Sequence, residues 1–468
     1  MTLGTTLPDE AARRRDRDYV YLAHTGTLCP ECKRVLQGKV VERDGKVFLH
    51  KRCPEHGFFE SLQSSDAAYY KLQSEYQQPG TLPLKFQTET DLGCPMDCGL
   101  CPDHEQHTCL GLIDLTDACN MRCPTCFANS DTGVFLPLGT VEGMLDALVA
   151  SEGTADIVQF SGGEPTLHPQ LFEIIDLARA KRIRHVMINT NGIRIANDEK
   201  FVERLAQYKE DFEVYLQFDG FKRSTFMTLR GQDMAEVRAR ALRNLEKHNV
   251  PTTLVAVLER GVNEDEVGDV VRTALRYRNV RGVTFQPQTH VGRHTGFDPA
   301  DRVTVPDVIK AIARQAPESF EEKDFIPLPC HPECISMTYA LRNGEDVLPI
   351  PRVLDVKKLL GLAGNTIAFE SEPEVRGALK ELWSASAAMQ SLRTLRNLRC
   401  CLPLMGRDAA DIGYENVFRI VIIAFMDAWN FDVRSAKKCC VHHVLPDGRI
   451  MPFCSYNTIH RTKMEVPP

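Results

Sequence analysis

The chain has 468 residues, of which 43% are hydrophobic and 25% charged, a composition typical of a globular protein with about two to four domains. Its net charge of −7 argues against a general affinity for nucleic acid. The longest apolar runs, such as Ile420–Met426, are too short to span a membrane, and the N-terminal residues lack the apolar core of a secretory signal. We therefore expect a cytoplasmic protein that does not bind nucleic acid, and we leave peripheral membrane contact open.

The seventeen cysteines are the unusual part of this composition. Many of them stand in tight CxxC or CxxxC groups along the chain. In a protein without an export signal, such groups indicate metal ligands rather than disulfides. The sequence therefore predicts more than one metal centre.

Residues 1–80 predict a metal-binding ribbon followed by a connector. Two cysteine knuckles flank a predicted β-hairpin over residues 40–49, with Asp44-Gly45 at its turn. This is a zinc-ribbon or rubredoxin-like layout, and its donor set would close a tetrahedral, structural Cys₃His site in which the histidine favours zinc over iron. The alternative is an incomplete site in which His56 is a surface residue. The candidate ligands are Cys29, Cys32, Cys53 and His56.

Residues 81–109 form a second metal-binding segment with the motif CPMDCGLC. Four cysteines within sixteen positions can fully ligate an auxiliary 4Fe–4S cluster. A second zinc site is the alternative, because cysteine ligation alone does not distinguish the two. The candidate ligands are Cys94, Cys98, Cys101 and Cys109.

A third cysteine motif, CNMRCPTCF, follows a predicted buried strand at Leu110–Leu115. Three thiolates this close can bind three irons of a 4Fe–4S cluster and leave the fourth iron open to a small molecule. The alternative is a zinc knuckle or three unconnected core cysteines. The candidate ligands are Cys119, Cys123 and Cys126, and Phe127 completes the motif.

One βα unit further on, a second predicted strand ends in Ser-Gly-Gly-Glu-Pro. We expect the glycines Gly162 and Gly163 to let the backbone approach a ligand closely. Glu164 would place a carboxylate near a ligand ammonium. A segment of this kind is a common turn on its own, and its position after the third cysteine motif makes it informative.

Residues 110–300 alternate apolar strands with segments of helical period. The predicted strands are Leu110–Leu115, Asp156–Phe160, His185–Asn189, Glu213–Gln217, Thr253–Val257 and Gly282–Gln286. Six parallel units with short loops predict an α/β fold, a partial (β/α)₆ barrel. Functional residues of such barrels gather at the C-terminal ends of strands, which makes Asn191 and Gln217 candidate cofactor-binding residues. Ordinary turns are the alternative.

Residues 301–435 predict a helical region, and residues 436–468 a C-terminal segment with a hairpin around Pro446-Asp447-Gly448. The predicted helices are Val305–Ala316, Val375–Ala388, Met389–Leu398 and Val417–Asn430. A second auxiliary cluster would use two cysteines of the helical region and two of the C-terminal segment. Its candidate ligands are Cys330 and Cys334, with two of Cys439, Cys440 and Cys454.

CxxxCxxC followed by phenylalanine and then by GGE resembles the radical S-adenosylmethionine (SAM) superfamily. The resemblance implies that SAM binds the open iron, that Gly162, Gly163 and Glu164 bind its methionine amino group, and that reduction cleaves it to a 5′-deoxyadenosyl radical. The order of ribbon, CPxDCGxC, CNxRCPxCF, GGEP and DGxxxPFC resembles one branch, that of the archaeal tetraether lipid synthases and the class D, pterin-directed methylases. A flavodoxin or ferredoxin is the expected electron donor.

By this likeness, the first hypothesis is hydrogen abstraction from an unactivated sp³ carbon and C–C bond formation on a lipid chain. The alternative is a class D methyltransferase that acts on a pterin or another small molecule. A third hypothesis, an iron–sulfur redox or sensor protein, is disfavoured because electron storage needs neither an open cluster nor a GGE loop. A long apolar tunnel would favour a lipid, and a compact polar pocket a pterin. No residue is assigned as a general base or radical relay.

Overall fold

A computed structural model describes residues 16–461, except 129, 131–132, 295, 330, 344–345 and 353–415. Cys330 and the helices predicted at Val375–Ala388 and Met389–Leu398 lie outside the described residues. Within the described ranges, no helix has the length and apolar character needed to cross a membrane.

The N-terminal ribbon is a four-stranded antiparallel sheet in the order β1-β2-β3-β4. The predicted hairpin is confirmed: Arg43 pairs with Lys46, and the two turn residues, Asp44 and Gly45, have φ values of +52° and +72°. Positive φ at both positions matches the tight turns that suit the twist of a hairpin. The strands are β1 (Val20–Leu28), β2 (Val35–Arg43), β3 (Lys46–Cys53) and β4 (Gly57–Ser64), followed by helix α1 (Ala67–Gln73).

Residues 110–287 form the predicted barrel, with six parallel strands that neighbour one another in sequence order. Apolar strands covered by amphipathic helices give this layered arrangement. The strands are β5 (Leu110–Thr116), β6 (Ala155–Gly162), β7 (Ile183–Thr190), β8 (Phe212–Gln217), β9 (Thr252–Leu258) and β10 (Val280–Pro287). The helices are α2 (Leu138–Glu152), α3 (Leu171–Ala180), α4 (Ile193–Asn197), α5 (Glu199–Leu205), α6 (Arg223–Arg230), α7 (Ala235–Lys247), α8 (Val267–Arg276) and α9 (Val305–Gln315).

The helix predicted at Val417–Asn430 is wrong, because Val417–Ile423 is a strand. It lies parallel to β10 and antiparallel to a strand at Ile335–Asn343, so the described part of residues 301–435 is not mainly helical. Its β-branched residues alternate between buried and half-buried positions, the pattern of a strand. The remaining elements are β11 (Ile326–Pro327), β12 (Ile335–Asn343), β13 (Asp346–Pro349), β14 (Val417–Ile423), α10 (Val433–Lys437), β15 (Val441–Val444), β16 (Ile450–Pro452) and α11 (Phe453–Ser455).

The C-terminal hairpin is confirmed as β15 and β16, and β15 extends the barrel at its other edge, parallel to β5. The parallel strands therefore run in the order β15-β5-β6-β7-β8-β9-β10-β14. Both added strands bring C-terminal residues to the barrel wall. The chain outside residues 110–300 thus completes the cavity within the barrel.

The barrel interior is apolar in the middle of the strands and polar nearer their C-terminal ends. Ile157, Met187, Tyr215 and Val255 form a buried cluster at the lower level. Residues two positions further along a strand face the same side. From Ile157 this step leads to Gln159, and amides also stand two positions beyond Met187 and Tyr215. Below the apolar cluster, Glu213 accepts hydrogen bonds from the side chains of Thr253 and Arg419.

Candidate active site at the mouth of the barrel

The three cysteines of the CNMRCPTC motif lie on the loop after β5 and line one end of a cavity of about 190 Å³. Burial raises the pKa of the Cys119 thiol to about 12, and the neighbouring Cys123 and Cys126 thiols raise it too. Metal binding would release these protons. The donor set therefore fits a three-cysteine iron–sulfur cluster, with the rest of the cavity beside it for a ligand of the fourth iron.

The GGE segment packs against the backbone of this cysteine loop. Gly163 N–H donates to the carbonyl of Thr116 at 2.7 Å, and Glu164 N–H donates to that of Ala118 at 2.8 Å. A Cβ atom would lie 2.2 Å from the Thr116 oxygen if added at Gly162 and 2.1 Å from the Ala118 oxygen if added at Gly163. Sequence reasoning expected these glycines to admit a ligand. In the structure they admit the neighbouring loop.

The Glu164 carboxylate is 1% exposed and binds the protein itself. It accepts hydrogen bonds from the hydroxyls of Thr166 and Thr190, at 2.6 and 2.7 Å, and from the N–H of Asn191 at 2.8 Å. Burial raises its pKa. These contacts join the loops after β6 and β7, so the structure gives Glu164 a positioning role at the edge of the cavity.

The two predicted amides also connect loops. Asn191 Nδ2 donates to Asn120 Oδ1 at 2.7 Å and so contacts the cysteine loop. Gln217 Nε2 donates to Asn189 Oδ1 at 2.9 Å. Both residues line the cavity, and both are already hydrogen-bonded to protein groups.

Sequence reasoning missed Arg230, at the end of α6. Its guanidinium binds both carboxylate oxygens of Asp219, at 2.5 and 2.6 Å, and donates to Gln217 Oε1 at 2.9 Å. It also lies beside the Cys123 thiol, whose pKa is raised by burial and lowered by this positive charge. An arginine fixed in this way can offset the negative charge of a thiolate-bound cluster. The Leu-Arg-Gly that follows the Phe-Asp-Gly turn was the available sequence signal.

Aromatic rings form the wall next to the cluster motif. Phe127 contacts Phe425 and Phe453 edge to face, with centroids 6.4 and 5.8 Å apart. Phe425 and Phe453 lie 4.0 Å from each other, and the His443 ring stacks on Phe453 at 5.2 Å. Three of these four rings lie beyond residue 420, so the C-terminal part of the chain supplies most of the wall.

A polar cluster joins the first barrel strand to the C-terminal segment. The Asp114 carboxylate lies 3.1 Å from Arg461 Nη2 and 3.8 Å from His443 Nδ1. Arg461 Nε donates to Asn457 Oδ1 at 2.8 Å, and Asn457 contacts His443 Nε2 at 3.2 Å. Burial lowers the pKa of His443 to about 3, so its imidazole is neutral at physiological pH. None of these residues was predicted as a site residue.

The four candidate ligands of the ribbon come together in the structure. Their ligand atoms all lie within 4.8 Å of one another. The His56 Nδ1 atom is 3.7 Å from Cys29 Sγ and 3.5 Å from Cys53 Sγ, and the Cys32 and Cys53 sulfurs are 3.9 Å apart. A tetrahedron with Zn–S bonds of ~2.3 Å has edges of ~3.8 Å. The donor set therefore fits zinc without rearrangement.

The ribbon holds the loop that follows β14 and its phenylalanine. Lys51 Nζ donates to the carbonyls of Ala428 and Trp429 at 2.6 and 2.7 Å, and Ser61 Oγ donates to the latter at 2.6 Å. Asp427, in the same loop, forms a buried ion pair with Arg302 at 2.7 Å. The ribbon thus supports the aromatic wall from behind.

Six of the cysteines predicted to hold auxiliary clusters lie in one apolar cluster that joins residues 94–109 to the C-terminal segment: Cys94, Cys109, Cys334, Cys439, Cys440 and Cys454. The N–H groups of Cys109 and Leu110 donate to the carbonyl of Cys440. Burial raises the pKa of the Cys98 thiol to about 11, to which the Cys439 thiol contributes. Cys439 also raises the pKa of the Cys454 thiol, so the two predicted ligand sets are neighbours. Their division into separate clusters stays a prediction.

Comparisons with known proteins give the following matches. The profile of the radical SAM superfamily matches residues 113–274, and that of the HMPTM N-terminal zinc ribbon domain matches residues 21–65. The 7,8-dihydro-6-hydroxymethylpterin dimethyltransferase of Methanocaldococcus jannaschii is 33% identical over 94% of each chain. The GTP 3′,8-cyclase of Chlorobaculum tepidum is 29% identical over 58% of this chain and 83% of its own. Among solved structures, Streptococcus suis SuiB has a TM-score of 0.38 at 16% identity, covering 46% of this chain and 47% of SuiB.

Proposed function

This chain belongs to the radical SAM superfamily and, within it, to the family of the Methanocaldococcus jannaschii pterin dimethyltransferase, and on that premise we propose that it methylates a reduced 6-hydroxymethylpterin. The observation that carries the proposal is the match to that enzyme along almost the whole chain, ribbon included. The comparisons thus favour the small-molecule alternative over the lipid coupling that the sequence resemblance placed first.

The lining of the cavity supports a small polar substrate. Four carboxamides face it from four different strands of the barrel: Gln159, Asn189, Gln217 and Gln286. A lipid chain end placed against them would leave the amide of Gln159 without a partner, at a cost of about 1–3 kcal/mol for each unsatisfied group. A flat heterocycle with several donors and acceptors can bind them. The apolar face of such a ring suits the neighbouring phenylalanines.

The residues of this chain prepare and shield the reaction. When bound at the three cysteines of the CNMRCPTC motif, the cluster and SAM supply a 5′-deoxyadenosyl radical that takes a hydrogen atom from the substrate. Glu164 fixes the loops around this position, and Arg230 places a positive charge beside Cys123. The aromatic wall of Phe127, Phe425 and Phe453 gives the cavity an apolar side next to the cluster motif. In this proposal a folate-type donor supplies the one-carbon unit, and a flavodoxin or ferredoxin supplies electrons.

The test is a product assay on anaerobically reconstituted protein. The reaction contains SAM, a strong reductant, 7,8-dihydro-6-hydroxymethylpterin and a reduced-folate one-carbon donor, and the products are separated by mass. We expect pterins heavier by one or two methylene units from wild-type protein and none from Cys123→Ala. Cleavage of SAM without any methylated pterin, together with a coupled product from an isoprenoid lipid, would overturn the proposal.

A further inference from the structure

Among the described residues that line the cavity, Gln159 differs from the other amides because its side chain has no hydrogen-bond partner. The residue lies on β6, is 6% exposed and lines the cavity. Among the described residues, no side chain or backbone group is hydrogen-bonded to this amide. A ligand that enters the cavity without bonding to this amide would leave it without partners, at a cost of about 1–3 kcal/mol for each unsatisfied group. A ligand that completes its hydrogen bonds would remove that cost.

The other polar groups at this level already have partners. Asn189 binds Ser161 and Gln217, at 3.2 and 2.9 Å. Asp114, on the neighbouring strand β5, is paired with Arg461 at 3.1 Å. Gln286 reaches only the hydroxyl of Tyr215, at the long distance of 3.4 Å, which weakens that bond. The unused hydrogen-bonding capacity of the cavity therefore lies mainly at Gln159.

The position of Gln159 separates it from the groups that would hold SAM. It is in register with Leu112 on β5 and with Met187 on β7, within the strands rather than at their ends. The cysteine and GGE loops lie at the strand ends, where SAM would bind beside the cluster. A ligand that contacts Gln159 therefore occupies the interior of the barrel below SAM. Under the proposed function, this position would suit the substrate.

We propose that Gln159 binds the pyrimidinone edge of the substrate and sets its orientation in the barrel. A primary amide presents a donor and an acceptor side by side, which match the N–H and C=O of a cyclic lactam. The pterin ring carries this lactam at the end remote from its hydroxymethyl group, so a ring anchored there would direct that group away from Gln159. This inference deepens the proposed function and depends on it.

The test is direct binding of 7,8-dihydro-6-hydroxymethylpterin to the reconstituted holoenzyme, followed by fluorescence quenching in the presence of SAM. Gln159→Met keeps the size of the side chain and removes both polar groups, and we expect it to weaken binding about 10–100-fold, the equivalent of one or two hydrogen bonds. Gln159→Glu should bind more tightly than Gln159→Met, because a carboxylate can accept from the lactam N–H and the adjacent amino group. Met187→Leu, a volume-conserving change in register with Gln159, should bind like wild type.

SAM cleavage in the absence of pterin serves as the readout of intact cluster and fold. We expect Met187→Leu to retain it, because Met187 packs in the buried apolar cluster with Ile157, Tyr215 and Val255. If wild-type protein methylates the pterin and Gln159→Met binds it with the same affinity as wild type, this inference is overturned and the proposed function stands. Failure of wild-type protein to bind or methylate any pterin would overturn the proposed function and this inference with it. If Gln159→Met loses SAM cleavage as well, Gln159→Glu decides. Pterin affinity of Gln159→Glu equal to that of wild type would then refute the role.

Discussion

Gly163→Ala tests whether the GGE segment shapes the site by packing against the cysteine loop. The added Cβ would lie 2.1 Å from the carbonyl oxygen of Ala118 and 2.7 Å from its carbon, whereas ordinary contacts between such atoms are ~3.5–4.0 Å. The contact is with backbone, so no side chain can move aside. The two loops must separate by about 1 Å or more.

That separation breaks two short backbone hydrogen bonds, from Gly163 to Thr116 and from Glu164 to Ala118. Leaving such buried groups unpaired costs about 1–3 kcal/mol each, or about 2–6 kcal/mol together. Ala118 directly precedes Cys119, so the first cluster ligand moves with the loop. A displacement of about 1 Å at a reacting centre can reduce the rate about 10²-fold.

The assay measures 5′-deoxyadenosine formation and iron content of reconstituted Gly163→Ala protein. We expect cleavage to fall about 10²-fold or more. Gly143→Ala is the matched control, because Gly143 lies within helix α2 and a Cβ there meets nothing within 4 Å. This control should unfold at a slightly higher temperature, since alanine stabilises a helix by about 0.5–1 kcal/mol relative to glycine. Cleavage by Gly163→Ala within twofold of wild type would refute the reasoning.

Three further predictions concern the ribbon and the barrel floor. Cys32→Ala should lose about one zinc per chain without losing iron, as measured by metal analysis; equal loss of both would contradict a separate site. Lys51→Met should lower the free energy of unfolding by about 1–3 kcal/mol and raise the KM for substrate more than it changes SAM cleavage, because it removes donors to the loop 427–430. At the floor, burial disfavours the charged form of Glu213, but Arg419, His185 and Thr253 together outweigh it and lower the pKa of that carboxyl from 4.5 to about 2. Its contribution is complete above pH ~4.5 and is lost as pH falls toward 2, so the stability difference between wild-type and Glu213→Gln metal-free protein should shrink by about 2 kcal/mol between pH 6 and pH 3. A difference independent of pH in denaturant titrations would rule out that charge as its source.

The features that the sequence revealed are local ones. Each of the six barrel strands is an apolar run bounded by turn residues, and each cysteine motif is a short spacing pattern, so neither needs knowledge of distant residues. The prediction for Val417–Ile423 was wrong because a short apolar run fits a helix or a buried strand equally well. The segment forms a strand because it pairs with β10 and β12, which are distant in sequence.

The missed site residues have a different cause. Gln159, Arg230 and His443 are single side chains on separate elements, and no spacing pattern relates them. Their roles come from the closed barrel, which places them around one cavity. Glu164 shows the converse case: its motif was recognisable, but its side chain makes contacts that only the neighbouring loop could reveal.

The most direct test of the central claim follows hydrogen from the substrate to SAM. Wild-type protein is incubated with SAM, reductant, one-carbon donor and a 7,8-dihydro-6-hydroxymethylpterin carrying deuterium on its sp³ carbons, beside Cys123→Ala. We expect 5′-deoxyadenosine that contains deuterium, formed together with methylated pterin, from the wild type alone. Protein with intact clusters that forms no 5′-deoxyadenosine, or forms it without deuterium while the pterin is methylated, would contradict the account.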